Sequence, residues 1–205
     1  MEPYSLKSLE RLERSLLNNE ALSLLDICSL LELYQIYPES AKPDIVCKVL
    51  LLSIMHLPKP DLKACIHLLT ERIQNDDNVS RIIQLANYLE TTRFSDFWAH
   101  ASSCNHLLTS VPGFFAAVRE NILILLGITF QRIQKDVLAN YLNLDGPLLD
   151  ALVKEKGFAS VLVPSGQLIV LPKNENNQMV VKRTQEVIRM EQVAPVLRSV
   201  TVGFY

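Results

Sequence analysis

The side chains best suited to chemistry gather in one short run, "HASSCNH", which holds His100, Cys104 and His106. On a helix, positions 100 and 104 share a face, and a thiolate with two imidazoles is the beginning of a zinc site. A structural zinc site takes four ligands, and no second pair stands at matching spacing. His56, Cys65 and His67 would have to converge on the first group from another helix pair. The expected arrangement is a helix end with two ordinary histidines and a buried cysteine, with no metal and no cofactor. Other reaction chemistry lacks its residues. Gly157 and Gly166, the closest two glycines, are nine positions apart, which excludes the phosphate cradles GxGxxG and GxxxxGK. Neither HExxH nor GxSxG occurs. With no catalytic constellation, the chain is expected not to be an enzyme.

The only tryptophan, Trp98, stands with Phe94 and Phe97 in "YLETTRFSDFWAH". A tryptophan can be a binding hot spot. Here the aromatics are expected to be core, wedging a helix capped by Ser95 onto the one before it.

The elements that must position these residues show in the glycine placement. All six glycines lie at or beyond Gly113, and the first 112 residues have none. A glycine-free stretch rich in Leu, Ile and Ala predicts packed helices, with joints at Asn18-Asn19, Pro38, Pro43, Pro58–Pro60, Asn75–Asn78 and Arg93–Ser95. Between joints the apolar spacing is helical: Val79, Ile82, Ile83, Ala86 and Leu89 form one series, and Leu62, Cys65, Ile66, Leu69 and Ile73 another. About six helices packed as successive antiparallel pairs are expected, repeat-like by element order rather than by sequence period.

From residue 113 the texture changes. A helix over Phe115, Val118, Ile122 and Leu125 precedes "GITFQRI", which reads as a short strand. "VLANYLNLDGPLLDALV" follows as helix, turn at Asp145-Gly146-Pro147, and a second helix from Pro147 to Lys156. Then "FASVLVPSGQLIVLP" reads as two strands, with Gly166 free to take the positive φ of their turn. This is the element order of a winged helix. "EVIRMEQVAPVLRSV" reads as a terminal helix whose start Pro195 limits. The fold class expected is mainly α, a helical repeat domain over 1–112 and a winged-helix domain with a small β-sheet and a C-terminal helical segment over 113–205.

Charge weighs against reading DNA. The net charge is −2, made of −4 over 1–112, zero over 113–156 and +2 over 157–205. The second helix sets Lys154 and Lys156 against Asp150 and Glu155, and the wing from Phe158 to Pro172 holds no charged residue, so little is left to neutralise phosphates. A basic face for nucleic acid would have to be assembled from Lys135, Lys154, Lys156, Lys173, Lys182 and Arg183. The N-terminus shows no signal-peptide pattern, the longest uncharged stretch (Phe97 to Val118) is too polar for a bilayer, and four scattered cysteines suit reduced thiols. A cytoplasmic location without membrane contact is expected.

The wing carries a positive hint. Phe158, Val161, Leu162, Val163, Leu168, Ile169, Val170 and Leu171 make the hairpin apolar on both faces, with only Pro164 and Pro172 to blunt its edges. Either a neighbouring subunit covers it or the chain's own terminal segment does. Val161, Val163, Leu168, Ile169, Val170 and Leu171 are the candidate interface residues.

A glycine-poor helical half followed by a winged helix is also the architecture of PCI-type scaffold subunits. "LELYQIYP", "YLETTRFSDFW", "VPGFFAAVR", "GITFQRI" and "SGQLIVLPKNE", in that order and spacing, resemble the k-subunit family of eukaryotic translation initiation factor 3, over about Leu31 to Leu197. The resemblance implies a HEAT/TPR-like N-terminal domain, a PCI-type winged helix, and a non-catalytic scaffold subunit. It would dock through its winged helix and C-terminal segment, with Met190, Val193, Val196 and Leu197, onto other initiation factor 3 subunits. Subunit l would be the most direct neighbour, and the small ribosomal subunit would be engaged through the complex. Small PCI-type subunits of the signalosome or proteasome lid share this plan and stand as the alternative, followed by a nucleic-acid-binding winged helix.

Overall fold

Local signals set the helix boundaries. Among the described residues, the N-terminal half of this computed structural model runs α1 (Leu6–Leu17), α2 (Leu24–Ile36), a 3-10 turn (Pro38–Ser40), α3 (Pro43–Met55), α4 (Asp61–Leu68), α5 (Glu71–Gln74), α6 (Asp77–Glu90), α7 (Phe94–Ser103) and α8 (Asn105–Leu108). It continues with α9 (Phe114–Thr129), β1 (Arg132–Gln134), α10 (Lys135–Leu142), α11 (Gly146–Glu155), β2 (Ala159–Val163), β3 (Gly166–Val170) and α12 (Met190–Val202). The structure describes residues 5–18, 22–164, 166–179 and 189–202. Ser23 and Asp26 close a reciprocal capping box at the start of α2, Pro43 occupies the first turn of α3, and Asp76 accepts from the backbone N–H of Asn78 and Val79 to start α6.

The packing is organised around α3. Ile45, Val46, Cys47, Val49, Leu50, Leu51 and Ile54 are all buried, so this helix is covered on nearly every side. The principal contacts therefore skip a neighbour: α2 lies on α4, and α3 on α6 as well as α4, rather than each helix pairing only with the next. On the remaining side α9 closes over α3. There Asn121 Nδ2 donates to the carbonyls of Met55 (3.1 Å) and Ile54 (3.3 Å) in the last turn of α3, the second of which also accepts from the Leu57 N–H at 3.2 Å. One buried apolar cluster runs from Leu9 to Leu171.

A second tie crosses the same junction. Trp98 is 8% exposed, its Nε1–H donates to the Tyr141 carbonyl of α10 at 2.8 Å, and its ring lies 6.1 Å from that of Phe115 on α9. The tryptophan is core. Near the N-terminus, the buried carboxylate of Glu13 is satisfied by the Tyr34 hydroxyl at 2.8 Å and by Lys42 Nζ at 2.5 Å, joining α1, α2 and the lead into α3.

The winged-helix order appears as expected, helix α9, strand, α10, α11 and hairpin. The three strands form an antiparallel sheet in the order β1-β3-β2, with Ile133 opposite Ile169 and Ser160 opposite Ile169 on the other side. Asn143, at φ 48, makes the left-handed turn that ends α10. Gly166 takes a positive φ of 129° at the hairpin, and Ser165 lies outside the described residues.

Four local expectations need correction. The Leu62–Ile73 series is not one helix: it breaks at Leu69, whose extended backbone separates α4 from α5, and Gln74 Nε2 donates to the carbonyls of Ile66 and Leu69 there. The helix carrying Trp98 begins at Phe94 with Arg93 at its cap, so Ser95 lies inside the first turn. "GITFQRI" is not one strand: Gly127–Thr129 close α9, and only Arg132 and Ile133 of the run belong to a strand, Arg132–Gln134. Pro195 falls inside α12, its sixth residue, rather than near its start. No described helix is long and apolar enough to cross a membrane.

Two measurements follow from this packing. Trp98→Ala removes a ring and a buried donor at the junction and should cost roughly 3–5 kcal/mol in a urea melt. Burial pushes the Cys47 thiol up to about 12 from an ordinary value of 9.0. Unfolded chains ionise first, so this contribution to stability is intact below about pH 9.0 and is lost as pH rises toward 12. Burial, with the bond to Glu13, raises Tyr34 in the same direction. Cys47→Ala should therefore flatten the alkaline fall in stability by up to about 1.4 kcal/mol per pH unit without abolishing it.

Candidate docking interface

The candidate surface is built from an edge strand. Among the described residues β2 pairs with β3 alone, so the other side of its backbone is unpaired within the sheet, whereas the opposite edge, β1, packs against α10. Alternation then divides the hairpin. Ile169 on β3 (1% exposed) and Leu171 just beyond it (3%) point inward and join the core with Ile133. Leu168 and Val170 point the other way, and their cross-strand partners Val161 and Ala159 share that outer face. Val161 is 49% exposed, and Leu162, at the free edge, is 86% exposed.

The six wing residues thus do not form one surface. Val161, Val163, Leu168 and Val170 lie together on the outside, while Ile169 and Leu171 are withdrawn into the chain's own core. That inner burial is the part of the two-faced apolar hairpin that the chain satisfies for itself. The terminal helix leaves Val161 and Leu162 exposed.

On α12, Met190, Val196 and Leu197 are exposed and Val193 is half-buried. Met190, Val193 and Leu197 fall at i, i+3 and i+7, one face of a helix. The start of α12 is held by the backbone N–H of Arg189, which donates to Gln192 Oε1 at 3.0 Å, half of a capping box. Met179, after the wing, is 91% exposed.

Between wing and terminal helix lies a polar latch that spacing alone does not announce. Asn177 is buried, and its Nδ2 donates to the carbonyls of Pro172 (2.8 Å) and Gly127 (3.0 Å). Asn174 Nδ2 donates to the same Gly127 carbonyl at 2.8 Å, and Gln131 Nε2 donates to the Asn177 carbonyl at 2.6 Å. The run "NENNQ" thereby caps the last turn of α9 and pins the chain as it leaves the wing. Only a surplus of amides in a short run signalled it.

Electrostatics leave little for a polyanion. Lys135 pairs with Asp150 at 2.5 Å and Lys156 with Glu120 at 2.6 Å, so two of the six basic residues considered for a nucleic-acid face are already neutralised by neighbours. Lys182 and Arg183 lie outside the described residues. The metal-like group is also committed elsewhere: His100 Nε2 stands 3.2 Å from the Tyr88 hydroxyl with the two rings 5.0 Å apart, and Cys104 is buried. Among the described residues no three His, Cys, Asp or Glu side chains gather as a metal site.

Comparison with known proteins adds to this geometry. The profile of the CSN8/PSMD8/EIF3K family matches residues 40–178. Eukaryotic translation initiation factor 3 subunit K of Bombyx mori is 32% identical over 170 residues, 82% of this chain and 76% of its own. The Culex quinquefasciatus protein of the same name is 31% identical over 170 residues, 82% of this chain and 75% of its own. The Drosophila ananassae protein, also of that name, is 30% identical over 196 residues, which cover 95% of this chain and 86% of the relative.

The inner and outer wing positions should separate cleanly in melts of the isolated chain. Ile169→Lys buries an unpaired charge and should cost more than about 4 kcal/mol, whereas Val161→Glu should cost under about 1 kcal/mol. Equal costs would mean that the hairpin register is other than described.

Proposed function

This chain belongs to the CSN8/PSMD8/EIF3K family, and from that membership we propose that it is a non-catalytic scaffold subunit of eukaryotic translation initiation factor 3. The relatives' names support the assembly. The observation that supports the mode of action is the uncharged outer wing face of Val161, Val163, Leu168 and Val170 beside the unpaired edge of β2. An unpaired, apolar edge suits extension of the sheet by a strand of another subunit. The exposed face of α12 offers a second apolar contact, through Met190, Val193, Val196 and Leu197.

In this reading the neighbours are other subunits of initiation factor 3, most directly subunit l, and the small ribosomal subunit is reached through the complex in the cytoplasm. Residues 1–112 and 113–205 serve as a helical repeat domain and a winged-helix domain, joined through one buried apolar core. No step of chemistry is assigned to the chain.

An affinity pull-down of the tagged chain from cytosol, read by mass spectrometry, tests the reading. The native protein should recover initiation factor 3 subunits. The doubles Val161→Glu with Leu168→Glu and Met190→Glu with Val196→Glu should each lose most of that recovery while circular dichroism stays helical. Full assembly by both variants would remove these faces from the interface. Recovery of lid or signalosome subunits instead would keep the scaffold role and reassign the complex.

A further inference from the structure

Arg119, on α9, is fixed from two directions and leaves its charge unanswered. Its Nε donates to the Leu142 carbonyl at the end of α10 at 3.0 Å, and its guanidinium carbon sits 5.1 Å from the centre of the Trp98 ring. Among the described residues no Asp or Glu pairs with it, although Lys135 and Lys156 of the same half each have an acid. Burial lowers the Arg119 pKa from its ordinary value, the direction expected of a guanidinium drawn partly out of water with no anion beside it.

Arg119 lines a cleft of about 230 Å³ shared by α7, α8, α9 and the turn after α10. Trp98 and Phe115 give it an aromatic wall, and Ser102, Asn105 and Asn143 supply neutral polar groups. The left-handed backbone of Asn143 brings that residue to the rim. A half-buried arginine already held by its Nε and its face presents the remaining fork with little rotamer entropy left to lose.

We propose that this cleft is a binding site for a carboxylate from an acidic segment of a partner protein, held by Arg119 and flanked by an apolar side chain against Phe115. A single guanidinium with neutral amides matches one planar, singly charged group, which it can grip with two parallel bonds. A nucleic-acid backbone needs several cations in a row, and this cleft has one, while Asp145 lines a neighbouring cleft that shares Trp98 and Asn143. The site does not depend on which assembly the chain joins.

Trp98 is the only tryptophan in the chain, so its fluorescence reports directly on this cleft. The full chain would be titrated with acetyl-Leu-Glu-Leu-amide, with acetyl-Leu-Gln-Leu-amide, and with a short oligouridylate. The glutamate peptide should give a saturable change with a Kd of about 1 mM or tighter, at least about tenfold tighter than the glutamine peptide and weaker in high salt. Arg119→Gln should abolish the change. Because Arg119 also holds Leu142 and Trp98, Asn105→Asp provides a second test: it sets a carboxylate within the cleft from an exposed position and should block the peptide with the thermal melt unchanged. No saturable change up to about 10 mM, equal response to both peptides, or a response untouched by Asn105→Asp would overturn the site. Binding of the oligouridylate in place of the peptide would likewise overturn it in favour of phosphate.

Discussion

The structure depends on covering α3. A helix whose Ile45, Val46, Val49, Leu50, Leu51 and Ile54 point around most of its circumference cannot rest on one neighbour and leave the rest to water. It needs α4 and α6 on one side and α9 on the other, and α9 is the first helix of the winged half. The helical half and the wing are thereby bound through one shared wall. Asn121 completes the arrangement by meeting carbonyls in the last turn of α3, so the apolar constraint and the polar one are satisfied by the same helix.

Much of this was legible in the chain itself. The series from Val79 to Leu89 is α6 within a residue or two at each end, and the order of helix, strand, helix, helix and hairpin is the winged helix found. Misreadings fell where local and tertiary preferences disagree. Ile128 and Thr129 are β-branched and suggest a strand, yet the helix runs through them, with Leu123 and Leu126 buried and Thr129 Oγ1 turned back to the Leu125 carbonyl at 3.0 Å. Leu69 and Ile73 keep helical spacing from Leu62 although the backbone breaks between them, because both ends of the break still face the same core.

The candidate interface shows a different limit. In a run as uniformly apolar as "FASVLVPSGQLIVLP", period-two alternation assigns residues to two faces but not to inside and outside. Pairing of Ile169 with Ile133 decides it, and Ile133 belongs to a strand of only three residues. Arg119 was invisible for a related reason. Nothing in its sequence neighbourhood sets it apart from an ordinary helix-surface arginine; the partners that hold it, Trp98 and Leu142, are 21 and 23 residues away in opposite directions along the chain.

The asparagine latch at the end of α9 ties together backbone that lies far apart along the chain. Asn174 and Asn177 both donate to the Gly127 carbonyl, and Asn177 donates as well to the Pro172 carbonyl, so the last turn of α9 and the backbone leaving β3 are held at one point. A change in that helical turn is therefore felt at the end of the wing hairpin through polar bonds, without passing through the apolar core. Removing both amides would leave the Gly127 carbonyl to water and uncouple the two.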